Sequence, residues 1–180
     1  MRHFRLVLLL SAGSLTLQTV TAQTAESSPP AVLLIKENIV DVALHGAAWS
    51  DAIVGQPLAI HDRIRTGEDS RATVLLSDLT VLRMDENSED EIEPPQAPGG
   101  KATLNVEQGS TYFFSREKSR EQRIQTPAAN GAIRGTEFVV TVGANGKTTV
   151  TMLDGELEFF NAQGSVLVHS GEQGSEQEAG

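Results

Sequence analysis

The amino-acid sequence predicts an all-β fold, a sandwich or a short solenoid-like stack of antiparallel short strands. Two observations carry this. From Val32 to His169 the apolar residues recur with a period of two, which sends alternate side chains to opposite sheet faces. Glycine, asparagine and proline interrupt that alternation at short intervals, as in strands joined by tight turns. Beyond the N-terminal leader, no stretch shows the 3.6-residue period of an amphipathic helix.

Taken in chain order, residues 1–22 read as a secretory signal peptide. Arg2, His3 and Arg5 form a basic start, Leu6 to Leu10 an apolar run, and Val20-Thr21-Ala22 the small residues before cleavage. Ser14, Thr16, Gln18 and Thr19 dilute the run. A spanning helix needs about 20 mostly apolar residues, so cleavage is expected rather than anchoring. Residues 23–31 are a flexible tether containing Pro29 and Pro30. One domain is expected over 32–172. Within it Ala72, Val74 and Leu76 alternate with Arg71, Thr73 and Leu75. Phe138, Val140 and Val142 alternate with Val139 and Thr141, Val150 and Met152 with Thr149 and Thr151, and Leu157 and Phe159 with Glu158 and Phe160. Asn145-Gly146 and Asp154-Gly155 are hairpin signals, because these residue types tolerate positive φ. Residues 85–93 hold six acids and 94–100 read PPQAPGG, so 85–100 is expected to be a mobile acidic loop. Residues 115–122, SREKSREQ, have no apolar face and read as a hairpin tip. Residues 173–180 are expected to be a disordered tail.

Composition narrows the chemistry. Without cysteine the chain has no disulfide, no thiol nucleophile, no thiolate metal site and no lipid-anchoring residue. Its formal charge is −10, and the leader carries Arg2 and Arg5 but no acid, so the processed chain stands at −12. Such a charge repels nucleic acid and anionic lipid and suits basic partners or cations. No G-x-S-x-G motif is present, and His45, His61 and His169 lie far apart with no matching Ser or Asp motif. Asp85, Asn87 and Glu89 alternate as in a calcium loop, but Asp90 stands where the turn glycine belongs and Gln96 where the last glutamate belongs. No catalytic residue, cofactor or metal site is expected. Trp49 and Tyr112 are the aromatics with which a glycan could be met.

The segment RIQTPAANGAIRGTEFVVTV, residues 123–142, breaks a strand at Pro127 and places Arg134 and Glu137 around Gly135. The two charged residues could pair with each other or with neighbouring strands, and this corner reads as structure first and a partner-binding spot second. RIRT at 63–66 echoes RIQT at 123–126, which would fit two copies of one strand-turn-strand unit.

These stretches resemble the periplasmic FecR domain. Asp62, Ile64, Thr66, Gly67, Ser70 and Ala72 match its first motif. Ile124, Thr126, Pro127, Gly135, Thr136, Phe138 and Val140 match the second, and Gly155 and Leu157 the third. Arg134 and Glu137 flank the second motif's glycine, and His61 stands where the family has glycine. The resemblance covers roughly residues 40–172. It implies a non-enzymatic all-β module outside the cytoplasmic membrane, of the kind that in transmembrane regulators relays a signal from an outer-membrane transporter to a sigma factor. This sequence has no cytoplasmic sigma-binding segment and no interior membrane helix. The expectation is therefore a stand-alone exported member, periplasmic or secreted, that binds another envelope protein or senses a signal. A cell-wall or glycan-binding module is the alternative reading. The motif residues are expected to serve architecture.

The expected core is Val74, Leu76, Val81, Leu104, Val106, Ile124, Phe138, Val140, Val150, Met152, Leu157 and Phe159. Truncating a buried phenylalanine costs about 3–5 kcal/mol. Phe138→Ala should lower stability by that amount in urea unfolding, and unchanged unfolding would place the ring outside the core.

Overall fold

The computed structural model describes residues 29–94, 103–116 and 122–177. The predicted signal peptide, most of the tether, the loop from residue 95 to 100, residues 117–121 of the charged tip and residues 178–180 lie outside the described residues. Fourteen strands form among the described ones: β1 (Ala31–Glu37), β2 (Val40–Ala43), β3 (Ser50–Asp51), β4 (Pro57–Leu58), β5 (Arg63–Thr66), β6 (Arg71–Leu76), β7 (Val81–Met84), β8 (Glu89–Glu93), β9 (Thr103–Phe114), β10 (Gln122–Gln125), β11 (Asn130–Val142), β12 (Thr148–Asn161), β13 (Gly164–His169) and β14 (Gln173–Glu176). A three-residue 3₁₀ turn, Leu44–Gly46, is the sole helical element described. The chain is all-β, as its period-two pattern predicts.

The hydrogen-bond register sorts the strands into two arms that share three long members. In the first arm the order is β3-β2-β5-β8, then residues 103–108 of β9, then β10, the start of β11, the end of β12, and β13. In the second it is β4-β1-β6-β7, then residues 109–114 of β9, residues 137–142 of β11, the start of β12, and β14. The β9–β10 pairing is parallel and the other described pairings are antiparallel. One apolar core collects buried side chains from both arms, among them Leu33, Val42, Ile64, Val74, Phe138, Val150 and Leu157. Phe113 and Phe138 stack within it at 4.4 Å between ring centroids. Eleven of the twelve expected core residues are buried. The exception is Val81, which is half-exposed. Leu82 and Met84 of the same strand face inward instead, and Val81 shares the outer face with Arg83.

The long strands change arm where two glycines meet. Gly135 of β11 is paired with Gly155 of β12, and both strands bulge there. A Cβ on Gly155 would stand 2.3 Å from the Gly135 Cα and 2.5 Å from the Arg134 carbonyl oxygen. A Cβ on Gly135 would stand 2.4 Å from the Asp154 carbonyl oxygen. Gly155 also has φ +118, a conformation that other residues rarely adopt.

Several expectations are corrected. Asp154-Gly155 is not a hairpin turn but the bulge inside β12. Asn145-Gly146 does make the β11–β12 hairpin, yet only Gly146 of the pair takes positive φ (+73), and Gly146 N–H donates to the Gly143 carbonyl in a longer loop. The acidic stretch is not a loop throughout: Glu89–Glu93 form β8, with Asp90 and Ile92 turned into the core. The tether ends earlier than expected, because Ala31 already pairs in β1 and is fully buried. The tail is not disordered from residue 173, since Gln173–Glu176 pair with Thr148–Thr151; polar side chains do not prevent a backbone from completing a ladder. Residues 115–122 cannot cap a hairpin, because β9 and β10 on either side run parallel. The RIRT and RIQT segments are not copies of one unit. β5 leads into β6 of the other arm, whereas β10 turns back at Thr126–Ala129 onto β11 beside it.

Gly155→Ala should destabilise the protein by at least about 3 kcal/mol, at or beyond the usual cost of overpacking, because the obstructing atoms are backbone. Urea unfolding measures it, and a loss below about 1 kcal/mol would mean the two strands are not in contact there.

Candidate functional site

The motif residues mostly hold turns together. The buried Asp62 carboxylate accepts the backbone N–H of His45 at 2.6 Å and of Ala59 at 2.7 Å. Thr66 donates its hydroxyl to the Asp85 carbonyl and accepts the Ser88 N–H, tying β5 to the β7–β8 turn. The buried Ser70 hydroxyl accepts the Ile39 N–H at 3.0 Å and donates to the Glu68 carbonyl. Gly67 lies against the Ile39 side chain. Thr126 caps the turn that Pro127 opens, through both polar groups of Ala129. Thr136 donates to Asp154 at 2.6 Å across the glycine crossing. Ile64 and Phe138 are core. His61, at the place where a glycine was expected, keeps the left-handed backbone (φ 67) that glycine favours.

Arg134 and Glu137 do not form one spot. The bulge between them sends each to a different arm. Arg134 lies on the first arm, its guanidinium 3.9 Å from Glu156. There, with Ala132, Glu158 and Leu167, they line a shallow pocket of about 90 Å³ beside β13. Glu137 lies on the second arm and accepts the Tyr112 hydroxyl at 2.6 Å. Burial and that bond push the Tyr112 pKa up to about 12, so its hydroxyl stays a neutral donor.

Two surfaces result that sequence reasoning did not locate. The first is the edge of β13. Among the described residues four strands lie at sheet edges: β3, β4, β13 and β14. β3 and β4 have two residues each, and β14 is the polar tetrapeptide QGSE. Short or polar edges resist pairing with other chains. β13 is six residues, GSVLVH, with Val166 and Leu167 42% and 50% exposed and neither proline nor lysine to blunt it. The second is a groove of about 510 Å³ on the outer face of the second arm, lined by Leu75, Leu79, Val81, Arg83, Tyr112, Phe114 and Arg116.

Other clusters are less open. Trp49 does not present a free ring: the Arg63 and Arg65 guanidinium carbons lie 5.2 and 4.3 Å from its centroid. Arg63 in turn bonds Glu89 and Glu107, and Arg65 bonds Asp41. His61, Glu91 and Glu93 could each offer one ligand atom, mutually within 4.8 Å. His61 is exposed and the two glutamates half-buried, with His61 Nδ1 3.0 Å from Glu91.

The model of the FecR protein family matches residues 62–158. Two crystal structures of a candidate anti-sigma factor from Parabacteroides distasonis superpose with TM-scores of 0.51 and 0.50, each at 17% identity. Each alignment covers 64% of this chain and 59% of that one, so this chain spans under two-thirds of their length. They share the fold. No curated protein matches the sequence.

Asp90 stands apart as a carboxyl inside the core. It is fully buried, Thr111 donates to one oxygen at 2.9 Å, and the other has no partner. Burial pushes its pKa up to about 8, with Glu107 adding to the effect and the Thr111 bond opposing it. The unfolded carboxyl titrates near 4. Between about pH 4 and pH 8 the folded chain therefore keeps a proton that the unfolded chain has lost. Stability from this group falls as pH rises through that window. Asp90→Asn should remove that slope when urea unfolding is compared at pH 5, 7 and 9, and an unchanged slope would show that Asp90 is not its source.

Proposed function

The chain belongs to the FecR family, whose model matches more than half of it, and from that premise we propose an exported, non-enzymatic module that binds another protein of a bacterial envelope along the open edge of β13. The family and the structural neighbours support a signalling or regulatory role. The leader-like residues 1–22 support export to the periplasm or beyond. The observation that carries the binding mode is the contrast among the four edges. Three are short or polar, and the fourth has six residues with Val166 and Leu167 exposed. A strand edge offers a row of backbone donors and acceptors, and an incoming strand satisfies them while side-chain pockets give selectivity. On the outer face, Leu167 and the shallow pocket with Arg134, Glu156 and Glu158 would read the partner's side chains. The chemistry needed is hydrogen bonding and apolar contact, with no reacting group.

A photo-crosslinking residue placed at Ser165 in intact cells should capture one envelope protein that the same residue at Ser175 of β14 does not. In the purified complex, backbone hydrogen exchange of Ser165 to Val168 should slow, and Leu167→Lys should weaken binding by about ten-fold or more. Equal capture from both edges, or unchanged exchange in β13, would refute this mode. Retention on peptidoglycan that Trp49→Ala abolishes would favour a wall-binding module instead.

A further inference from the structure

The outer face of the second arm breaks a rule of antiparallel sheets. A sheet with one face on the core normally presents polar side chains on the other. Here Val32 pairs with Leu75, Leu75 with Val81, and Val81 with Phe114, so one row of outward side chains runs apolar across β1, β6, β7 and β9. All four are half-buried. The next row is polar on β6 and β7, where Thr73 pairs with Arg83, and Arg83 with Tyr112. The apolar row ends at Glu137, whose carboxylate is engaged by the Tyr112 hydroxyl.

Cations flank this row on both sides. Arg83 follows Val81 along β7, toward the Tyr112 row. Arg116 follows Phe114 along β9, and antiparallel pairing sends it the other way. The Arg83 guanidinium lies 6.0 Å from the Tyr112 ring. Among the described residues no carboxylate forms an ion pair with Arg83 or Arg116, although acids outnumber bases by ten in the chain. At the lip, Leu79 is 64% exposed and held at φ 67, a backbone that a branched side chain disfavours. A turn under no other demand would carry glycine or asparagine there. Among the described non-glycine residues at positive φ, Leu79 is the one with an aliphatic side chain.

We propose that this groove binds an acidic segment of a partner protein, one with aliphatic side chains between carboxylates: the apolar row takes the aliphatic groups, and Arg83 and Arg116 take the carboxylates. The attraction is local. The whole chain repels anions, so attraction must come from contact with these two arginines at short range. This surface is distinct from β13, and either can fail without the other.

The test is an NMR titration of the ¹⁵N-labelled chain with two synthetic peptides, capped Asp-Leu-Val-Leu-Asp and capped Lys-Leu-Val-Leu-Lys. The acidic peptide should shift the backbone signals of Val81, Arg83, Tyr112 and Phe114 and bind at least about ten-fold more tightly than the basic one. Arg83→Glu with Arg116→Glu should abolish that preference. Leu79→Gly should raise the melting temperature by relieving the turn, yet weaken the acidic peptide. Equal binding of the two peptides, shifts that map elsewhere, or none at peptide concentrations of about 1 mM would overturn the proposal. So would concentration-dependent dimerisation through the same residues, which would make a second copy the occupant.

Discussion

The structure depends on one backbone contact. Gly135 and Gly155 face each other where β11 and β12 leave one arm for the other, with no room between them for a single side-chain carbon. Were either strand to continue straight, the apolar residues on its two halves could not both face one core. Period two assigns Ile133 and Val140 to opposite faces of a regular strand, yet both are fully buried. The bulge resets the phase between them. Thr136 and Asp154 then fasten the crossing with a hydrogen bond, and Ser170 fastens it from β13's end by donating to the Gly155 carbonyl and accepting the Gly155 N–H.

That reset also distributes the surface. Because the phase changes between Arg134 and Glu137, the first points to the face beside β13 and the second to the groove of the other arm. A conserving device for the core thereby sets two outward surfaces of different character. One offers backbone hydrogen bonds at an open edge. The other offers an apolar row and two arginines. Under the proposed function, selectivity would come from which strand or segment each surface accepts. Neither surface uses Trp49, which is stacked against Arg63 and Arg65.

Much of this was legible in the sequence, for physical reasons that can be named. Alternation at Ala72, Val74 and Leu76, or at Val150 and Met152, found strands and their buried faces, because burial on one face is what writes a period of two. The motif pattern marks Gly135 and Asp62, but not that Gly135 meets the Gly155 backbone or that Asp62 accepts two backbone N–H groups. Three features misled. Six acids in a row of nine hid β8, because Asp90 takes an inward position that charge argues against. Asp154-Gly155 looks like a turn, because close approach of two backbones and a hairpin both call for glycine. Val81 is apolar like its buried neighbours, and only its sharing a face with Arg83 marks it as outward. The edge and the groove could not be seen at all, since each depends on which strand lies beside which.

A nuclear Overhauser experiment on the α-protons of Gly135 and Gly155 tests the crossing. A strong cross-peak between the two residues, comparable with those of directly paired strands, is expected. No cross-peak, with Gly135 instead close to a residue elsewhere on β12, would mean that the strands do not cross there, and the division of Arg134 and Glu137 between two surfaces would have no basis.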